Sequence, residues 1–189
     1  MEKTKIMTRE HAQLSIKTQV WATVVAIAAA VVLPQMLHTI GAISGLATAL
    51  GETFLPMHLP IILVGFLAGP YAGAISGLLG PLASFALSGM PTGTMLPFMM
   101  IELTVYGLTS GLLRRAQIPT LGKVVLVQIA GRLIRSVAIL FAVYALGSEA
   151  IRVSIIWMSV KTGLPGLVLQ WVLLPLLVLW VDKRRKNEQ

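Results

Sequence analysis

Read from its amino end, the chain opens polar and then passes through one apolar run after another, divided by short stretches where Gly, Pro and charged residues collect. The runs hold about 18 to 20 residues, close to the ~20 an α-helix needs to cross a ~30 Å hydrocarbon core at ~1.5 Å per residue. They lack the period-two alternation of a membrane barrel, and a helix satisfies its own backbone hydrogen bonds where lipid offers none. The pattern predicts an all-α integral membrane bundle, a single transmembrane domain over residues 1–189. Six spanning segments are expected, at Thr18 to Leu37, Phe54 to Ala68, Tyr71 to Gly89, Thr94 to Leu113, Leu121 to Leu146 and Leu164 to Val181.

The second segment is short for a span, and the stretch before it, GAISGLATALGETF, is Gly-rich and only partly apolar. It reads as a re-entrant or capping stretch, because irregular backbone at membrane depth survives only where protein covers it or where it lines a cavity. The stretch GSEAIRVSIIWMSVKTG after the fifth segment is long, semi-apolar and on the same side. Two such loops are placed to close over a ligand. No convincing internal repeat is present, which weighs against a two-half transporter with alternating access.

Composition sharpens this picture. With 56% hydrophobic and 12% charged residues, against roughly 25% charged in ordinary soluble proteins, a soluble globule is excluded. The chain has no cysteine, so neither a disulfide framework nor a thiolate metal site is available. No metal-ligand spacing, phosphate loop or nucleophile elbow occurs, and no cofactor or metal is expected. The first twenty residues lack the apolar core and cleavage site of a signal peptide, so the first span is expected to stay in the mature protein.

The formal net charge of +8 does not point to nucleic acid, because the basic residues flank apolar runs instead of forming one stripe. Lys3, Lys5, Arg9 and Lys17, then Arg114, Arg115 and Lys123, then Lys183, Arg184, Arg185 and Lys186 fall on one side. The opposite loops carry only Arg152 and Lys161. By the positive-inside rule both termini are expected in the cytoplasm, 1–17 as a leading segment and 182–189 as a basic tail.

Ionisable groups within the spans are the strongest chemical signal, since each costs at least ~2.5 to 3.5 kcal/mol near the bilayer centre unless paired or hydrated. Glu102, Arg132 and Arg135 are such groups. Gln128, Arg132 and Arg135 follow one another at spacings of four and three, which puts them on one helix face. That face holds more donors than one carboxylate requires and suits a polar or anionic ligand; the alternative is a Glu102–Arg135 ion pair that only joins two helices. His58, between Pro56 and Pro60, is a further ligand candidate, with His38 and Glu52 in the first outer loop as weaker ones. Trp157 serves as an interfacial anchor or a stacking lid. Met57, Met90, Met95, Met99 and Met100 either line an adaptable pocket or simply pack.

Gly69, Gly73 and Gly77 repeat every four residues and suit close approach of a neighbouring helix. Ala22, Ala26 and Ala30 do the same in the first segment, as internal packing or as an external docking stripe. Two other classes of function stay open. An intramembrane enzyme would need Ser84 or Ser88 with His58, which no motif supports; an assembly or regulatory membrane protein would need no polar cluster.

The stretch GETFLPMHLPIILVGFLAGPYAGAISGLLGPLASFALSGMPTGTMLPFMMIELTVYGLTSGLLRR, with AGRLIR in the fifth segment and the closing basic tail, resembles the substrate-binding S components of energy-coupling factor (ECF) transporters. The resemblance implies a six-helix subunit of the bacterial cell membrane, without its own ATPase site, that binds a vitamin-type ligand from outside. Its ligand would lie under the first and third loops on the outer side and the loop between the fifth and sixth helices. The resemblance also implies docking, through an alanine-repeat face of the first helix, onto a transmembrane coupling subunit driven by two cytoplasmic ATPases. On that implication Ala22, Ala26 and Ala30 become the docking stripe, and the subunit topples within the lipid to deliver its ligand. LPMHLP and GMP are most similar to the pantothenate and cobalamin groups: the arginines suit a carboxylate, a large outer loop a corrinoid. Metal-transporting relatives use an amino-terminal histidine site, for which His11 behind a basic segment is a poor match.

Overall fold

A computed structural model describes residues 15–46 and 48–187, with side chains as far as Arg184. The chain forms seven helices, α1 (Ile16–Ile43), α2 (Ala49–Phe54), α3 (His58–Ala68), α4 (Pro70–Ser88), α5 (Leu96–Leu113), α6 (Thr120–Tyr144) and α7 (Ser154–Asn187), and no strand among the described residues. α2 and α3 together make one crossing, so six segments are long and apolar enough to span a membrane. An even number of crossings brings the end of α7 back to the side where α1 begins. Lys3, Lys5, Arg9 and His11 lie outside the described residues.

Local chemistry explains the joints. Leu55 precedes Pro56, which disfavours helical backbone in the preceding residue. Leu55 leaves the helix in the left-handed region instead of an extended one, at φ 49° and ψ 50°, and α2 ends there. α3 restarts at His58, whose N–H donates to the Leu55 carbonyl at 3.1 Å. Gly69, at φ 109°, supplies a turn that a side chain would strain, and Pro70 starts α4 where a helix needs no N–H.

Three boundaries differ from the sequence expectation, one being the end of α7, which runs through most of the expected tail to Asn187 instead of stopping at Val181. α1 continues past Pro34 to Ile43, well beyond Leu37. α7 begins at Ser154 instead of Leu164, so most of the expected last loop is helix. The reason is packing: Ile155 and Ile156 lie against a cluster of Phe98, Ile139 and Ile151, which holds these turns on α5 and α6.

The glycine repeat is an internal seam. A β-carbon at Gly73 would collide with the backbone of Gly107, one at Gly77 with the backbone at Leu103, and one at Gly111 with the backbone of Pro70. α4 and α5 are therefore in backbone contact along their length, as small residues permit in lipid.

Of the two readings of the alanine stripe, internal packing is the one that its contacts in this conformation show. Ala26 is 5% exposed and Ala30 fully buried. Ala26 packs with Val64, Ala68 and Ala72, and Ala22 lies against that cluster. Ala30 faces Gly80 of α4, where a β-carbon would sit 3.2 Å away. The small side chains let α1 close onto α3 and α4, so in this conformation they are covered by the chain itself. The outward face of α1 carries Trp21, Val25 and Val32 instead, bulky apolar groups suited to lipid.

Candidate functional site

At the end of the bundle opposite the start of α1 and the end of α7, the helices line a half-open cavity of about 370 Å³, within the range of small-molecule sites. Its wall draws on the C-terminal halves of α1, α4 and α6, the N-terminal halves of α5 and α7, α2 with the turn into α3, and the loop Met90 to Thr92. The expected capping stretch is thus α2 and its turn, which contribute Gly51, Glu52 and Leu55.

Glu102 lies at its inner end with no exposed surface. Arg135 Nη1 donates to its Oε2 at 2.8 Å, and Tyr106, one turn along α5, donates its hydroxyl to Oε1 at 2.9 Å. Arg132 Nε stands 3.4 Å from Oε1, an ion-pair distance without hydrogen-bond alignment. Arg132 Nη1 instead donates to Ser159 Oγ of α7 at 3.3 Å. Gly163, one turn further along α7, leaves room for the guanidinium: a β-carbon there would sit 3.2 Å from Nη2. His58 is 3% exposed, its Nε2 3.9 Å from Glu102 Oε1, too far for a hydrogen bond, and its ring tilts against Tyr106 with centroids 5.3 Å apart.

The balance of charge is uneven. Two guanidiniums face one buried carboxylate, and Arg132 Nε, Arg132 Nη2 and Arg135 Nε have no hydrogen-bond acceptor. Burying cations with spare donors is costly unless a ligand or water supplies the missing acceptors. Glu102 and Arg135 pair between α5 and α6, and both arginines line the cavity.

His58, Glu102, Arg132 and Arg135 are brought together, with His38 and Glu52 also on the wall. Met57, Met90, Met95 and Met99 line it, joined by Met158; Met100 does not. Gln128 and Trp157, expected as ligand contacts, lie elsewhere. Gln128, one turn below Arg132, spends both ends of its amide on α7, with Nε2 donating to Gln170 Oε1 at 3.0 Å and Oε1 accepting from Trp171 Nε1 at 2.6 Å. Trp157 is 70% exposed. Because α7 is helical from Ser154, Ile155, Met158, Ser159 and Thr162 share the cavity face at spacings of three and four, and Trp157 points away.

Tyr106, Ser159 and Gln170 were not singled out by the sequence. Tyr106 sits four residues after Glu102, a spacing that could have flagged it; Ser159 and Gln170 depend on the approach of α7 and had no local signal. Gln170 Nε2 reaches the Leu55 carbonyl at 3.4 Å, so the Gln128–Gln170 pair ties α6 and α7 to the turn at the cavity wall. Gln170→Leu strands the Gln128 amide and is expected to cost about 1–3 kcal/mol, read as a lower unfolding midpoint in detergent. Ser84 and His58 both line the cavity, yet neither the Ser84 hydroxyl nor either His58 nitrogen has a hydrogen-bond partner. The serine–histidine pairing of a hydrolase is not formed.

A bundle of six membrane-spanning helices with a half-open, cation-rich pocket at one end defines a membrane protein that captures a small molecule. No curated protein and no solved structure matches the chain. The model of the ECF transporter substrate-specific component family matches residues 19–178, and the chain belongs to that family. It is therefore a multi-pass cell-membrane protein, the substrate-specific subunit of an ECF importer, a transport subunit that works with the other subunits of the ECF module.

Proposed function

We propose that this subunit binds a vitamin-class monocarboxylate of the size and character of pantothenate, with Arg132 holding the carboxylate. The observation that carries the reading is the surplus of guanidinium over carboxylate at the inner end of the cavity, with Arg132 Nε and Nη2 buried and without acceptors. One anionic group would neutralise the excess and take those donors, in the planar geometry that guanidinium favours. The volume of about 370 Å³ suits a ligand of that size and is small for a corrinoid, which disfavours cobalamin. The methionines give the apolar part of the ligand a deformable surface. With both termini in the cytoplasm, as the basic residues favour, the cavity opens outward, and ligand passes inward once the subunit engages a transmembrane coupling subunit powered by two ATPases.

The test is binding to the purified protein, by calorimetry and by thermal stabilisation, across a vitamin panel. Pantothenate is expected to raise the unfolding midpoint, since a ligand at 100 times its Kd adds about 2.7 kcal/mol. Arg132→Ala is expected to weaken binding about 30- to 1000-fold, the worth of a buried charge-assisted contact. Stabilisation by cobalamin alone, or by a cationic vitamin alone, would overturn the assignment.

A further inference from the structure

Each oxygen of Glu102 is already held by a short hydrogen bond, Oε1 by the Tyr106 hydroxyl at 2.9 Å and Oε2 by Arg135 Nη1 at 2.8 Å. Two further groups face Oε1 from farther back, Arg132 Nε at 3.4 Å and His58 Nε2 at 3.9 Å, neither of them in a hydrogen bond. Both side chains line the cavity. His58 is 3% exposed, and neither of its ring nitrogens has a partner. A neutral imidazole carries one N–H, and a buried N–H without an acceptor is scarce in folded proteins and calls for a physical reason. Arg132 and His58 thus converge, with donors to spare, on an oxygen that is already bonded.

We infer that His58 is the second half of the carboxylate site: Arg132 takes one oxygen of the ligand's carboxylate, and the His58 imidazole donates to the other. Both nitrogens lie so near the same atom that one carboxylate, through two hydrogen bonds of about 2.8 Å, bridges the gap between them. The anion suits both neighbours. It neutralises the surplus guanidinium, and α3 begins at His58, so the positive end of that helix favours negative charge beside the ring. Water could accept the same N–H, but it carries no charge and leaves the surplus cation unbalanced. The ring is held in place by Tyr106, with centroids 5.3 Å apart, and Tyr106 is itself fixed by Glu102. α3 packs on α1, α4, α5 and α7, and α6 on α5 and α7, so His58 and Arg132 approach each other across Glu102 of α5. A carboxylate held by both ties α3 to α6. An alcohol in its place has one oxygen and no charge, so the clamp selects the acid. The inference rests on the carboxylate reading above and adds to it a specificity-determining residue from a second helix.

The probes are pantothenate and pantothenol, in which a primary alcohol replaces the carboxylate and the rest of the molecule is unchanged. Kd is measured for each on the wild type, His58→Phe and Arg132→Ala. The wild type is expected to prefer pantothenate. His58→Phe, which keeps a ring against Tyr106 and removes the donor, should lose about 10- to 100-fold for pantothenate and little for the alcohol. Its ligand-free unfolding midpoint should not fall, since the nitrogens it removes have no partner to strand. If His58→Phe does not fold, His58→Gln against His58→Met gives the same comparison with and without an N–H donor. Equal losses for both probes, or none for either, would overturn the role of His58; the carboxylate reading would still stand if Arg132→Ala weakened pantothenate selectively. A wild type that binds neither probe, or binds both equally, would overturn that reading and this one together.

Discussion

Glu102→Ala is expected to destabilise the protein by about 3–5 kcal/mol, because removing one partner of a buried ion cluster leaves the others uncompensated. Glu102 is fully buried and is the only carboxylate in contact with Arg132 and Arg135 among the described residues. Its loss strands two guanidiniums and the Tyr106 hydroxyl at once. The readout is the unfolding midpoint in detergent. Arg135→Ala alone should also be costly, yet the double variant should lose less than the sum of the two, by about 0.5–3 kcal/mol, because the groups share one interaction. A bound carboxylate should partly rescue Glu102→Ala by supplying the missing anion. Additive effects with no rescue would show that the cluster is not a coupled unit.

Gly107→Val should also destabilise the protein strongly, though it touches neither charge nor cavity. A β-carbon at Gly107 would collide with the backbone of Gly73, and one at Gly73 with the backbone of Gly107. Backbone cannot rotate aside as a side chain can, so α4 and α5 must separate. Overpacking in a well-packed core costs about 1–3 kcal/mol and more when backbone has to move. Separation would also displace Ser84 and Glu102, which face the cavity from these two helices. Loss of a monodisperse, thermally stable species is expected for Gly107→Val, whereas Leu112→Val, at a 64% exposed position on the same helix, should be tolerated. A stable Gly107→Val protein would show that the seam yields.

Much of this was determined by the sequence alone. Six apolar runs with helical character fix six crossings, because lipid leaves backbone no other partner. Charged residues inside those runs mark the candidate site, because burying them needs a reason. The Glu102, Arg132 and Arg135 cluster was legible on that ground, His58 from its flanking prolines, and the glycine seam of α4 from its four-residue repeat. The tertiary structure decided the rest. A helix face is visible in sequence, but which neighbour it meets is not: the alanine stripe of α1 turned inward onto Ala72 and Gly80, and Gln128 found Gln170 and Trp171 on a helix 42 and 43 positions away. Trp157 left the cavity because packing on Phe98 and Ile139 made its segment helical and fixed the rotation of α7. Periodicity reports how a helix divides its own surface; contacts across the bundle depend on the mutual rotation of helices, which the whole set of packed faces settles together.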